Sequence, residues 1–265
     1  MNFKILCSDL DGTLLSTKNN VSDFTISEVH RIKERLKIIL VSARMPKSMT
    51  YLQKRMGIEE NPIICYNGAL IMEKNKELSS TIISAEQTKA LNTLAESYDI
   101  KLGLYHKDEW CVGQSSERVE KEVFNTKANP ILEPTSITLE RWGKTKIGPH
   151  KVMLMGTKTT IDAISPELQK DFSSIMSFYR SNDTLIEVAP KSVSKLKAIK
   201  ALLQPNESLN DVIAFGDNYN DIEMLQNVGV GIAVANARDE VKSVANKVTL
   251  SNKEHGVAQF IKDHL

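Results

Sequence analysis

Two aspartates one residue apart, Asp9 and Asp11, sit in the stretch Asp9-Leu10-Asp11-Gly12-Thr13, directly after the apolar run Phe3 to Cys7. In an extended chain residues i and i+2 point the same way, so both carboxylates can face one point in space. Like charges held that close are costly unless a cation, a shared proton or a phosphoryl centre compensates them. An acidic turn capping the next helix is the plainer account, since Asp and Gly are ordinary turn residues. A second acidic cluster, Gly216-Asp217-Asn218-Tyr219-Asn220-Asp221, lies near the other end of the chain and favours chemistry over a turn.

These groups need elements to position them, and the spacing of apolar residues supplies a pattern. Phe3–Ser8, Ile38–Val41, Ile63–Tyr66, Val212–Phe215, Val228–Val234 and Val248–Leu250 read as strands. Helical spacing over Ser22 to Lys37, from Pro46 to about Met56, and over Val193–Leu203, Ile222–Asn227 and Arg238–Ala245 places helices between them. Such alternation implies a parallel sheet with right-handed crossovers. The middle reads differently. A helix over Ala85–Tyr98 is followed by a hairpin from Lys101–Tyr105 and Trp110–Val112, and Ser115–Phe124 is helical. Asn129 to Thr138 is turn-rich, Lys151–Met155 a strand and Thr160–Phe172 a helix, and a second hairpin joins Ile175–Tyr179 to Leu185–Val188. The expected fold is α/β: a Rossmann-like parallel-sheet core over residues 1–82 and 187–265, with an inserted α+β cap over 83–186.

In open parallel α/β sheets ligands bind outside the carboxyl ends of the strands. Four strands end there in polar groups: Asp9/Asp11, Ser42/Arg44, Asn67, and Asp217/Asn220/Asp221. Four acidic side chains at one rim call for a hard divalent cation, and oxygen ligands in octahedral geometry favour Mg²⁺. Ser42 offers a hydroxyl to an anionic substrate, and Gly12 a backbone N–H that no side chain shields. Lys191, Lys195, Lys197 and Lys200 precede the second acidic cluster, and spacing alone makes them a solvated helix face.

Composition narrows the field. The 41% hydrophobic and 25% charged content is that of an ordinary globular chain, and a net charge of +1 provides no broad field for nucleic acid or an anionic membrane. Cys7, Cys65 and Cys111 each lie in an apolar run, where a thiol is a small buried group, so a reduced compartment is expected. No basic leader precedes a long apolar run, and the longest apolar stretch, Val228 to Ala235, is strand length, so the expected location is the cytoplasm. Gly229-x-Gly231 is a broken dinucleotide fingerprint in the wrong place, and the five histidines lack zinc spacing.

The order and spacing of Asp9-Leu10-Asp11-Gly12-Thr13, Ser42, Lys195 and Gly216-Asp217-Asn218-Tyr219-Asn220-Asp221 resemble the four motifs of the haloacid dehalogenase-like phosphohydrolases. Tyr66-Asn67-Gly68-Ala69 and the insert resemble the Cof-like branch with its large α/β cap. The resemblance implies that Asp9 attacks phosphorus to form an aspartyl-phosphate, and that Asp11 protonates the leaving alcohol and then deprotonates water. It implies Mg²⁺ held by Asp9, Asp217 and the Asp11 backbone carbonyl, supported by Asp221. Ser42 and Lys195, with Gly12, Asn67 and Asn220, would bind the phosphate group. The chain departs from the family pattern at Ala43, Ser192 and Leu196, where glycines are usual, and at His255, where an acidic residue is common.

The expected activity is therefore Mg²⁺-dependent hydrolysis of small phosphorylated metabolites, sugar phosphates first. The cap supplies specificity, with Tyr105, Trp110, Arg180 and Asn182 as candidates. The expected partner is a small-molecule phosphate ester, with no nucleic acid and no membrane, and the chain a monomer or weak homodimer. The alternatives are a phosphomutase of the same superfamily and a non-catalytic regulator that binds a phosphorylated metabolite.

Overall fold

The computed structural model describes residues 3–17 and 19–265. Its first five strands are β1 (Ile5–Ser8), β2 (Lys37–Val41), β3 (Ile63–Cys65), β4 (Leu70–Glu73) and β5 (Lys76–Ser80). Six more follow: β6 (Lys101–His106), β7 (Glu109–Val112), β8 (Ile131–Leu132), β9 (Lys151–Met155), β10 (Met176–Asn182) and β11 (Leu185–Pro190). The last are β12 (Val212–Gly216), β13 (Val230–Val234) and β14 (Lys247–Thr249).

β1 is buried at all of its positions and apolar on both faces, the signature of a central strand in a parallel sheet. It lies between β2 and β12 and runs parallel to both. The full order is β14-β13-β12-β1-β2-β3-β4-β5, parallel from β14 to β3, with β4 turned antiparallel against β3. The first and last thirds of the sequence thus meet at the sheet centre. The helices α1 (Asp23–Ile32) and α2 (Lys47–Met56) join its first strands.

A second sheet, ordered β10-β11-β9-β6-β7-β8, is antiparallel except where β7 meets β8. Its helices are α3 (Ala85–Ser97), α4 (Glu117–Thr126), α5 (Thr135–Thr145) and α6 (Lys158–Phe172). Alternate residues Leu102 and Leu104, Val152 and Leu154, and Ile186 and Val188 pack with Leu91, Trp142 and Ile164 in a core of its own. The chain divides into Met1–Leu78 with Ser194–Leu265, and Ser79–Val193. This division falls outside residues 83–186 on both sides. Hydrogen bonds bind the flanking segments to the insert: Ser80 to the His150 ring (2.9 Å) and Lys191 N–H to Ile175 O (2.9 Å).

The remaining helices are α7 (Lys195–Leu202), α8 (Ile222–Asn227), α9 (Asp239–Val244) and α10 (Gly256–His264). Side-chain oxygens of Ser22, Ser84, Ser116, Thr157 and Ser194 accept the N–H three residues on and start α1, α3, α4, α6 and α7. Three elements depart from the sequence reading. The β4–β5 hairpin turns through Lys74 and Asn75, both at positive φ without a glycine to mark them. The turn-rich reading of Asn129 to Thr138 gives way to β8 and the first turn of α5, which Trp142 anchors in the core. α10 follows β14, with Val257, Ala258, Phe260 and Ile261 buried. No helix among the described residues is long and apolar enough to cross a membrane.

Phe215 on β12 is 0% exposed and meets the Phe260 ring edge-on at 5.6 Å. Phe215→Ala is expected to cost about 3–5 kcal/mol in a urea titration, the usual range for emptying a buried aromatic site. A loss under about 1 kcal/mol would contradict this placement of the strand.

Candidate active site at the strand ends

β1 stops where its polar loop begins. The Asp9 N–H still donates to Phe215 O of β12 (3.0 Å), and then Leu14 and Leu15 N–H turn back to Asp9 O and Leu10 O. This wide turn brings Gly12 to φ +86°, in the left-handed region that glycine enters freely. Space imposes the same choice, because a Cβ on Gly12 would lie 2.5 Å from Asp217 Oδ2. Thr13 then donates its hydroxyl to Asp217 Oδ1 at 2.9 Å. Two loops separated by some two hundred residues are thereby packed atom against atom.

The loop after β12 is built around Asp221. Its Oδ2 accepts the N–H groups of Asp217 (3.0 Å) and Asn218 (3.1 Å), a carboxylate-closed turn that starts the short helix. Asp9, Asp217 and Asp221 each present a carboxylate oxygen, and these atoms lie within 4.8 Å of one another. Lys195, the first residue of α7, reaches into the group. Its ammonium donates to Asp9 Oδ1 at 2.5 Å and to Asp221 Oδ1 at 2.7 Å. The side chain is 1% exposed, whereas Lys191, Lys197 and Lys200 are exposed, so the solvated-face reading holds for those three and fails for Lys195. Leu196 is buried beside it.

Burial is the largest influence on these acids. It pushes Asp9 well above the usual carboxylate range, against the pull of Lys195 and with the help of Asp221 and Asp217. Burial followed by the Asp221 charge lifts Asp217 to about 6, against the Thr13 hydrogen bond. Burial alone would depress Lys195, but the Asp221 and Asp9 carboxylates outweigh it and raise the ammonium. Three carboxylates facing one ammonium leave two negative charges unmatched. A hard divalent cation fits such a set of oxygen donors, and protons are the other means of neutralising it.

Asp11 faces elsewhere. Arg44, itself buried, grips both of its oxygens, Nε to Oδ2 at 2.7 Å and Nη2 to Oδ1 at 2.8 Å. The sequence reading placed Arg44 at the rim and gave it no task; an arginine after a strand end is common, and nothing in the spacing points it at Asp11. Ser42 is buried, and its hydroxyl oxygen accepts the Arg44 N–H at 3.2 Å, leaving its own proton to donate. Asn67 N–H donates to Ser42 O (2.9 Å), and the Asn67 side chain accepts from Asn220 Nδ2 (2.9 Å). The structure therefore gathers Gly12, Asp9, Asp217, Asp221 and Lys195 in one cluster. It links Ser42, Asn67 and Asn220 in a chain of hydrogen bonds, and it ties the Asp11 carboxylate to Arg44.

Removing the ammonium exposes the electrostatics without assuming any reaction. Lys195→Met leaves two buried carboxylates without their shared counter-charge. The expected loss in chelator is about 3–5 kcal/mol of unfolding free energy at neutral pH, as for other broken buried pairs. An unchanged urea midpoint would show that Asp9 and Asp221 do not depend on it.

The sequence profile of the haloacid dehalogenase-like hydrolases matches residues 6–261. A Haemophilus influenzae relative is 30% identical over 99% of this chain and 98% of its own. A pyridoxal phosphate phosphatase of Escherichia coli is 27% identical, with 100% of both chains covered. A 5-amino-6-(5-phospho-D-ribitylamino)uracil phosphatase of Bacillus subtilis is 26% identical over 98% of this chain and 97% of its own. Among solved structures, a haloacid dehalogenase-like hydrolase from Bacteroides thetaiotaomicron superposes with a TM-score of 0.89 at 25% identity, covering 99% of this chain and 100% of that one. With the motif loops meeting at the ends of a parallel sheet and the profile spanning almost every residue, the chain belongs to the haloacid dehalogenase-like hydrolases.

Proposed function

We propose that this protein is a Mg²⁺-dependent phosphatase that hydrolyses small phosphate monoesters, sugar phosphates foremost, through an aspartyl-phosphate on Asp9. The observation that carries the reading is the close trio of Asp9, Asp217 and Asp221, of which buried Asp9 and Asp221 share the ammonium of Lys195 and half-buried Asp217 completes the set. The phosphatase names of relatives that align over nearly the whole chain support it.

Asp9 and Asp217, supported by Asp221 and together with the Asp11 backbone carbonyl, are the groups that would hold Mg²⁺. Bound there, the ion supplies positive charge to the phosphoryl oxygens and to the crowded carboxylates. Lys195 holds Asp9 Oδ1, which leaves the other oxygen of the nucleophile to form the bond to phosphorus as the ester P–O bond breaks. Asp11 delivers a proton to the departing alkoxide and takes one from the water that then cleaves the aspartyl-phosphate, so Asp9 is regenerated and inorganic phosphate released. Because Arg44 occupies both Asp11 oxygens, Asp11 must turn to free one before it serves the leaving group. Ser42, the Gly12 N–H, Asn67 and Asn220 are assigned to the phosphate oxygens, and substrate choice to the insert.

A panel of sugar phosphates and other small phosphate esters, assayed with Mg²⁺ and with chelator, tests this directly. Phosphate release from at least one ester, abolished by chelator and by Asp9→Asn, is the expected outcome. Release from none would replace the phosphatase with a metabolite-binding regulator.

The cation should also compete with protons. Asp217 titrates near 6 because burial and Asp221 raise it, so it is ionised at pH 7 and mostly protonated at pH 5. Its folded-state pKa lies above the ordinary value of 3.8, so without the cation its charge destabilises the fold above about pH 6. That penalty fades as pH falls from 6 towards 4. Calorimetric titration should accordingly show Mg²⁺ binding about tenfold weaker at pH 5 than at pH 7. Equal affinities would mean that Asp217 is not a ligand.

A further inference from the structure

We propose that the turn after β13, residues 235–238, together with Asn252 is a splint that holds the loops of Asp9 and Asp217 in register, with Asn236 as its principal positioning residue. The inference rests on the cation reading of Asp217 given above, and it concerns residues outside the four motif clusters.

Asn236 donates from Nδ2 to Gly12 O at 2.8 Å, and its Oδ1 accepts the Asn252 N–H at 2.8 Å. The Asn252 side chain donates in turn to Leu15 O at 2.8 Å. Two asparagines thus fix the tip and the exit of the Asp9 loop. Two residues beyond Asn236, the Arg238 N–H donates to Asp217 O (3.1 Å) and Arg238 Nε to Asn218 Oδ1 (2.9 Å). One short turn therefore grips the backbone of both acidic loops at once.

The need for such a splint follows from Gly12. Only glycine fits against Asp217, and glycine is the residue with the most backbone freedom to lose. In a trans peptide the C=O and the next N–H point opposite ways, so holding Gly12 O fixes the orientation of the whole Gly12–Thr13 unit. Thr13 is the residue whose hydroxyl steadies Asp217 Oδ1. The path from Asn236 to the carboxylate cluster is thus Gly12 carbonyl, Thr13 hydroxyl, Asp217. Asn236 touches no reacting atom.

The test compares Asn236→Ala, Thr13→Val, the double variant and Asn252→Ala with the unaltered protein. Three quantities are read: hydrogen exchange of residues 10–15 in chelator, Mg²⁺ affinity by titration calorimetry, and phosphate release. Asn236→Ala should speed exchange in residues 10–15 about tenfold and weaken Mg²⁺ by about five- to tenfold, the scale of one lost hydrogen bond. Thr13→Val should weaken Mg²⁺ similarly, and the double variant no more than Thr13→Val alone, because both act through one path. Asn252→Ala, the milder change, should reproduce the exchange effect if Asn236→Ala does not fold. Unchanged exchange and unchanged Mg²⁺ affinity in a folded variant would overturn the splint, as would losses that multiply in the double variant. Absence of phosphate release from the unaltered protein would overturn the phosphatase and leave the splint to be judged on exchange.

Discussion

Everything at the strand ends depends on burying two carboxylates, Asp9 and Asp221, around one ammonium, with a third, Asp217, half-buried beside them. Water has been removed from Asp221 altogether and nearly so from Asp9, and among the described residues the only positive charge in direct contact with either is Lys195. A buried ion pair gains little stability by itself, since desolvation consumes most of the Coulomb attraction. Its value here is arrangement: the lysine sets where Asp9 Oδ1 and Asp221 Oδ1 lie, and Asp221 Oδ2 sets the turn that carries Asp217. The remaining negative charge makes the cluster poorly stable alone and receptive to a cation.

The two kinds of acid at the rim illustrate how environment divides similar side chains. Asp9 and Asp11 are one residue apart, and the sequence suggests carboxylates that face a common point. Asp9 (φ −62°, ψ 161°) and Asp11 (φ −75°, ψ 112°) are each extended. Leu10 between them is the first residue of the wide turn, and there the extended geometry on which that expectation rests is broken. One carboxylate turns into the buried cluster with a lysine, and the other meets a guanidinium that binds it through two parallel hydrogen bonds. Different partners in different degrees of burial are the usual way to separate two carboxylates into distinct roles.

Much of this was legible because it is local. Four apolar runs ended by polar groups announce strand ends, and strand ends in a parallel sheet share a rim; Asp9, Ser42, Asn67 and Asp217 follow from that alone. What spacing could not separate was Lys195 from Lys191, Lys197 and Lys200, since all four fit a polar helix face and only the packing of α7 decides which is enclosed. The Arg44–Asp11 pair and the Asn236 and Asn252 contacts were silent for a similar reason: each joins residues far apart in sequence, and neither arginine nor asparagine after a strand is unusual. In the fold, α5 was hidden by the turn formers before it, and the β4–β5 turn by the lack of a glycine at either of its positive-φ positions.

The spacing of the contacts also bears on how the site can form. Lys195 and Asp9 are 186 residues apart in sequence, and Thr13 and Asp217 are 204 apart, so neither contact exists until β12 has paired with β1. Closing so long a stretch as a flexible loop is entropically unfavourable. The intervening residues 79–193 are not such a loop, because Leu91, Trp142, Ile164 and Val188 give them a core that needs no residue from the parallel sheet. A segment that orders itself leaves less chain freedom to be lost when the sheet closes. Until that closure Asp9 has no lysine beside it; with it, Asp9 is desolvated and meets the ammonium in the same step. Burial and compensation of the charges are therefore one event, which is how a chain can carry so many acidic groups into its interior without exposing any one of them to the full cost.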